Sequence, residues 1–590
     1  MADLLAIISR DRSQPVSVDE LAADHESLRG ASTASETATA TEWAAVRVVD
    51  RPQPAAVGIA RAGDGWTAWA GPLADRAQAG HAPLAALEGQ FALVRLEGDG
   101  ETLRVASDPF GIKPFYMVEA GELTYFSTSA LVLAKHLRLS PSRSGMEAFL
   151  RVGNQYGRRT PWEGMTRLQP GEEIRFTPAG RESGVYWRPA IDPAVRALDF
   201  EASAEICAER GAAAIGARYR DSYPWLDLTG GFDTRMLSLL AQRGGLRFMT
   251  NTIGDEGSED AVLARQIAAT AGWPWTRFDL PEDWAEVLPS RLEESVAWSD
   301  CNLDAVALTA VMQGHRDKAA TESLLLNGGG GEHYRDFPWS HELLAAGRSS
   351  DYNFERFVHW RLLGPLDLSV FRQDPTRAAA ATLREELEHR AEPFAELPNT
   401  FQGDVVYAYK STGHFGAYQA AADAWIHMEL PFYLKAVWTT TTSTSPRHRN
   451  FHRLMREMMR RLDPTIAAIQ TETGGPAEPL GVRNLYRFAP YPWRRGKRFA
   501  ARVRGKIFKA ESADPAASER ELSAARLVAT LRQAGRLDPR RMRSAAIYDT
   551  ERLEAVLAAA VAAPATVDWG LVGRVITAEL ALEAVDAGVE

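Results

Sequence analysis

Two cysteines in 590 residues, Cys207 and Cys301, are too few and too far apart for a disulfide framework or a structural zinc site. Long apolar runs are missing as well. Nothing approaches the roughly 18 uninterrupted apolar residues that a membrane span requires. The opening stretch from Met1 to Ser13 has an apolar run too short for a secretory signal and no basic lead-in. A basic excess is also lacking: 67 Lys and Arg against 77 Asp and Glu leave a net charge of -10, which weighs against general nucleic-acid binding. These absences describe a chain expected in a reducing cytoplasm, with no transmembrane segment and no nucleic-acid partner.

What is present is ordinary globular material, 45% hydrophobic and 24% charged, long enough for two large domains and an extra segment. Up to about residue 190 the pattern is β-rich, with short strands at Phe91–Leu96, Thr102–Ala106 and Ile174–Phe176 between Gly-, Pro- and Asp-rich turns. The Ala/Ser/Thr-rich stretch from Gly30 to Thr41 reads as a mobile loop. From about 200, helical segments alternate with short apolar runs at Trp225–Leu228, Phe248–Thr250 and Leu324–Leu326. Strand, glycine turn and helix in repetition predict a parallel α/β sheet, whose ligands sit beyond the carboxyl ends of the strands. Residues 400 to 470 read as mainly helical, and 515 to 590 as an amphipathic helical appendage.

Two strand ends carry candidate chemistry. At Leu228-Thr229-Gly230-Gly231-Phe232-Asp233-Thr234 an apolar strand runs into a glycine turn and a helix begins. Glycines let backbone N–H groups close on an anion, the helix N-terminus adds partial positive charge, and Asp233 offers a carboxylate where magnesium bridges phosphates. An ordinary strand-to-helix turn is the plain alternative, since short glycine motifs are weak signals. At Asn327-Gly328-Gly329-Gly330-Gly331-Glu332-His333 a second strand ends in four glycines, costly in conformational entropy unless backbone must pass close to something. Glu332 offers a second carboxylate. A flexible surface loop is the alternative there.

The first loop resembles the Ser-Gly-Gly-Leu-Asp-Ser loop of asparagine synthetases, ATP pyrophosphatases that adenylate a carboxylate and then form an amide. Asp108-Pro-Phe-Gly-Ile-Lys-Pro-Phe-Tyr116 resembles the signature of that family's N-terminal domain, and Leu87–Ala92, Tyr125–Ser129, Thr160–Gly171 and Tyr186-Trp187 follow in its order. The resemblance implies a degenerate class II glutamine amidotransferase-like domain of Ntn type over 1–195, a β-sandwich with helices. It implies an ATP-pyrophosphatase domain over 196–480, with a parallel sheet and a helical extension, and leaves 481–590 as a basic segment and appendage. By position, Leu228, Thr229, Gly230, Gly231, Asp233, Thr234, Ile253, Gly254, Asn327 and Gly328 would line an ATP site, and Asp233 and Glu332 would hold Mg2+.

The sequence also departs from that family. The family's glutaminase nucleophile is a cysteine at residue 2, and here residue 2 is Ala. No counterpart of its glutamine-holding Asn-Gly-Glu segment is found; Gly63-Asp64-Gly65-Trp66 lies in that region. Glutamine hydrolysis is therefore not expected, and Asp108 and Lys113 read as scaffold. Gly329 stands where relatives carry Glu or Tyr, and Ile469–Gly475 lacks their late lysine. His333 and Tyr334 are candidates for the base and Lys410, Lys435, Arg447 and Arg449 for the charge, each with a surface or structural role as the plainer alternative, and Arg235 is read either as a phosphate-binding cation or as a solvent-facing helix residue. Leu430–Leu434 resembles a family segment but ends without its Asp.

The expected function is an ATP- and Mg2+-dependent ligase that joins a carboxylate to an amine without making its own ammonia. Asparagine synthesis from ammonia, isopeptide formation as in lasso-peptide cyclases, and a non-catalytic nucleotide-binding role are the alternatives. The acid-free stretch Arg483–Lys509 reads as a solvated surface or as a dock for an acidic partner, and a homodimer is left open.

Overall fold

The computed structural model describes residues 2–589 apart from 13, 31–33, 41–42, 51–56, 75, 77–78, 346–351 and 490–517. Twelve strands build the N-terminal part: β1 (Ala2–Ser9), β2 (Ala34–Ala40), β3 (Ala44–Asp50), β4 (Val57–Ala62), β5 (Gly65–Ala70), β6 (Ala92–Leu96), β7 (Leu103–Ser107), β8 (Tyr116–Ala120), β9 (Leu123–Ser127), β10 (Met165–Arg167), β11 (Glu172–Thr177) and β12 (Gly180–Val185). They form two six-stranded antiparallel sheets, ordered β10-β8-β9-β1-β3-β2 and β12-β11-β7-β6-β5-β4.

Side-chain alternation explains the layers. Leu4, Ala6 and Ile8 of β1 point between the sheets and meet Val94, Val105 and Phe126. Leu5 and Ile7, one residue out of phase, face the helices Ala130–Leu137 and Arg143–Val152 through Leu131, Met146 and Phe149. The apolar opening of the chain is therefore a central strand buried on both faces. The loop expected from Gly30 to Thr41 is corrected over its second half: Ala34–Ala40 is the edge strand β2, paired with β3 through main-chain bonds that its polar composition does not announce.

Five further strands, β13 (Trp225–Asp227), β14 (Met249–Ile253), β15 (Trp275–Phe278), β16 (Leu324–Leu326) and β17 (His427–Glu429), make one sheet in the order β15-β14-β13-β16-β17. Every pairing in it is parallel. The fold is thus the mixed one expected, antiparallel layers first and a parallel sheet later. Chain order 3-2-1-4-5 reverses direction between β13 and β16, and such a switch point opens a crevice at the carboxyl ends of both strands. Leu226, Leu228 and Leu326 are fully buried beneath that crevice. Each stabilises the fold by about 1.5–3 kcal/mol, which anchors the turns that follow.

The helices Glu519–Gln533, Thr550–Ala562 and Trp569–Ala584 are not a detached appendage. Their Val528, Leu557, Val575 and Ile576 share one core with Leu292, Val296 and Phe149 of earlier helices. Arg574 donates to the carbonyls of Leu150 and Arg151 at 3.0 and 3.1 Å. The amphipathic pattern showed an apolar face; only the tertiary fold shows that this face closes the body. Most of the basic stretch Arg483–Lys509 lies outside the described residues. Among the described residues no helix is long and apolar enough to cross a membrane.

Candidate nucleotide and phosphate site

Both glycine turns meet at the switch point. The first follows β13 and the second follows β16, the two strands that flank the reversal. They touch through glycine. A Cβ on Gly328 would lie 3.0 Å from the Thr234 nitrogen, and one on Gly331 would lie 2.5 Å from an Asp233 carboxylate oxygen. This close approach accounts for part of the glycine run that looked wasteful in sequence.

The first turn is internally braced. Thr229 N–H donates to Thr234 Oγ1 at 3.0 Å, Gly231 N–H to Thr229 Oγ1 at 3.1 Å, and Gly230 N–H to Asp260 Oδ1 at 2.9 Å. Thr252 Oγ1 donates to the Leu228 carbonyl at 2.7 Å, tying the turn to β14. The helix Asp233–Arg243 then opens with no side-chain cap, and Asp233 is the acidic residue of its first turn. The next strand end, Ile253-Gly254, stands alongside; the Gly254 carbonyl accepts from Arg277 at 2.9 Å. Asn327 is anchored at the base of the crevice, donating to Asp227 Oδ2 at 2.8 Å and accepting from Gly329 N–H at 2.9 Å. Lys318 holds the other Asp227 oxygen at 3.1 Å.

Asp233 is the electrostatic centre. Burial raises its pKa, Arg335 pulls it back, and the neighbouring Glu332 and Glu472 push it up again, to about 7. Arg335 binds it through one nitrogen, 2.8 Å from Oδ1 and 2.6 Å from Oδ2. Glu332 accepts from Gly330 N–H at 3.2 Å. Carboxylates of like charge crowded around one arginine form an environment that favours a further cation. Among the described residues no three His, Cys, Asp or Glu side chains converge on one ion position. Magnesium takes one or two carboxylates and completes its shell with water and phosphate. The space above Gly231 is open: an added Cβ there would meet only Thr229 Oγ1 at 3.2 Å and Glu472 Oε1 at 3.8 Å. In kind, these residues fit a magnesium-bound polyphosphate.

Three expected site residues are placed elsewhere. Arg235 is fully buried and donates to the carbonyls of Gly230, Ile466, Ile469 and Gln470, at 3.2, 3.4, 2.9 and 2.9 Å. It staples the first turn to the segment 466–472 and is not presented to a phosphate. His333 is 2% exposed, enclosed by Tyr407, Tyr433 and Trp438, with Nδ1 3.6 Å from Asp404. Tyr334 is equally buried, packs on Phe432, and has its hydroxyl pKa raised by burial. The short 3-10 turn Gly331–Tyr334 directs both side chains into the core, which corrects the base role expected of them.

The place of the missing base is also explained. A Cβ on Gly329 would come within 2.9 Å of the Phe415 ring, so that aromatic side chain occupies the room a Glu or Tyr would need. Phe415 belongs to the helix Asn399–Ala422. On this helix Tyr407, Lys410, Ser411 and His414 recur at three- and four-residue spacing and so share a face. Burial lowers the pKa of Lys410, which Glu332 opposes, and burial together with Lys410 drives His414 down to about 4. Burial thus keeps His414 a neutral imidazole and opposes its protonation. Arg335 and His414 carried no motif that could have flagged them in sequence.

At the other end of the chain, residue 2 is Ala at the start of β1, and Gly63-Asp64 is the tight turn between β4 and β5. Lys113 Nζ reaches Asp423 Oδ2 at 2.6 Å, a buried pair joining the sandwich to the end of the Asn399–Ala422 helix. Asp108 accepts from the N–H groups of Phe110 and Lys113, both at 2.9 Å. These residues of the Asp108–Tyr116 motif are structural.

Residues 73–187 match the glutamine amidotransferase domain family. The matched part of the amidotransferase-like domain covers β6 to β12 and the Asp108–Tyr116 motif, and it begins after the strand on which residue 2 lies. No curated protein matches the chain. Among solved structures, the chain is similar to one titled as the allosteric regulatory enzyme of purine biosynthesis, with 11% identity over 43% of this chain and 66% of that one, at a TM-score of 0.22. It is also similar to the glutamine phosphoribosylpyrophosphate amidotransferase from B. subtilis complexed with ADP and GMP, with 11% identity over 47% of this chain and 65% of that one, again at 0.22. The chain therefore spans just under two thirds of either structure, and likenesses at that score carry no argument.

Proposed function

We propose that this chain is an ATP- and Mg2+-dependent ligase that adenylates a carboxylate and passes the acyl group to an amine, without hydrolysing glutamine. The observation that carries this reading is the meeting of two glycine turns at the switch point, with Asp233 at an uncapped helix start and Glu332 opposite it. The helix N-terminus beside the glycine turns would receive the phosphates, and Asp233 and Glu332 would hold the metal. The bound metal would supply charge neutralisation for the leaving pyrophosphate. The proton that the attacking amine sheds would pass to solvent. The amidotransferase-like domain, with Ala2 in place of a nucleophile, supplies scaffold and leaves the amine to come from outside.

The test is pyrophosphate release with a panel of carboxylic acids and amines. Release that requires both partners and vanishes in Asp233→Ala supports the reading; ATP binding with no release across the panel sinks it. One feature favours a second reading, a nucleotide-binding protein without turnover. Three turn amides are already satisfied by side chains, and Glu472 stands near Gly231 in the segment where relatives carry a lysine. The same assay separates the two.

A further inference from the structure

We propose that Arg335 is the phosphate-facing cation of this site, held by Asp233 until a metal takes the Asp233 carboxylate. This rests on the nucleotide reading above and deepens it. Three observations converge. First, the segment 469–475 folds over the first turn, Glu472 N–H approaching the Gly230 carbonyl at 3.4 Å, yet it brings a carboxylate and no cation. Second, Arg235, which follows the turn directly, is consumed by four carbonyls, and Arg456, over the Phe232 ring, donates to the carbonyls of Pro476 and Glu478. Third, the side-chain hydrogen bonds of Arg335 run to Asp233 alone among the described residues, and its buried Nε has no acceptor there. Its guanidinium therefore has donors to spare beside the uncapped helix start.

The chemistry follows from charge. With Asp233 engaged by a metal, Arg335 would be released as a planar, bidentate donor beside the helix start. In the adenylation step a carboxylate oxygen bonds to the α-phosphorus while the bond from that phosphorus to the bridging oxygen breaks. The electron pair leaves on pyrophosphate. Arg335 donates to the oxygens that gain charge. Because metal and arginine compete for Asp233, losing Arg335 has opposite consequences for the two ligands.

The experiment measures two affinities on the full chain and on Arg335→Gln and Arg335→Lys: Mn2+ alone by electron paramagnetic resonance, and ATP with Mg2+ by calorimetry. Arg335→Gln is expected to bind Mn2+ more tightly and ATP about ten- to hundredfold more weakly than wild type. Arg335→Lys should keep part of the ATP affinity. Thermal unfolding of each variant confirms a folded chain. Unchanged ATP affinity in Arg335→Gln, or weakened binding of both ligands in a folded variant, overturns the assignment. Wild type that fails to bind ATP overturns instead the nucleotide reading beneath it.

Discussion

Two of the buried polar clusters among the described residues, one behind β1 and one between the glycine turns, are made of similar residues and differ in how their charges are answered. At β1, Asp3 accepts from His25 Nε2 and Arg29 Nη1 at 2.9 Å each and from Thr128 Oγ1 at 2.6 Å. Arg29 continues to Asp300 at 3.0 Å, and Asp300 accepts further from Ser129 Oγ and Leu131 N–H at 2.7 and 3.1 Å. Burial alone would raise the Asp3 carboxyl, but Arg29 and His25 outweigh it and hold it well below the usual carboxylate range. At the glycine turns the balance runs the other way. Asp233 has one arginine, two neighbouring glutamates and a pKa pushed up to about 7. A satisfied buried network specifies structure, whereas an under-compensated one is poised for a ligand. The first cluster binds the amidotransferase-like domain to the rest of the body; the second, on the proposed reading, would be completed by charge from outside.

That contrast can be broken at either end. The largest effect is expected from Arg29→Met, which leaves Asp3 and Asp300 without their shared cation. It should lower the unfolding free energy by about 3–5 kcal/mol in denaturant titrations while leaving the ATP affinity of the folded fraction unchanged. Gly331→Ala puts a methyl group against Asp233 and should do the reverse. It should weaken ATP binding about tenfold, measured by calorimetry, with a smaller stability loss of about 1–3 kcal/mol from the methyl group crowding Asp233.

The pH dependence sharpens the comparison further. Below about 7 a proton occupies Asp233 and competes with the metal, so metal-dependent ATP binding should weaken as pH falls from 7 to 6, by up to about tenfold per unit. The same raised pKa makes a protonated Asp233 favour the fold. Its stabilising contribution is therefore lost as pH rises from the ordinary carboxylate range through about 7, and thermal unfolding of the metal-free chain against Asp233→Asn reads it. The smallest effect is expected from Ala2→Cys. Restoring a thiol at residue 2 should yield no ammonia from glutamine, because the turn at Gly63-Asp64 brings no Asn-Gly-Glu segment to hold the substrate.

Legibility in sequence followed the range of the interactions. The parallel strands and the turns after Asp227 and Leu326 were readable because apolar runs and glycines act locally. The alternation in β1 was hidden, since a strand buried on both faces reads as a plain apolar run. His333 and Tyr334 looked available because they follow a glycine turn, but a single 3-10 turn rotates them into the core. Arg235 looked like a phosphate ligand because it adjoins the motif; its carbonyl partners lie more than 230 residues away in three cases out of four. Phe415 behind Gly329 and Arg335 on Asp233 are tertiary facts with no local signature.

The most direct test is a calorimetric titration of the full chain with ATP in the presence and absence of Mg2+, run beside Asp233→Ala. Saturable ATP binding that is strengthened by Mg2+ and lost in the folded variant is the predicted result. Magnesium-independent binding that survives Asp233→Ala, or no binding by the wild-type chain, would contradict a nucleotide site at the switch point.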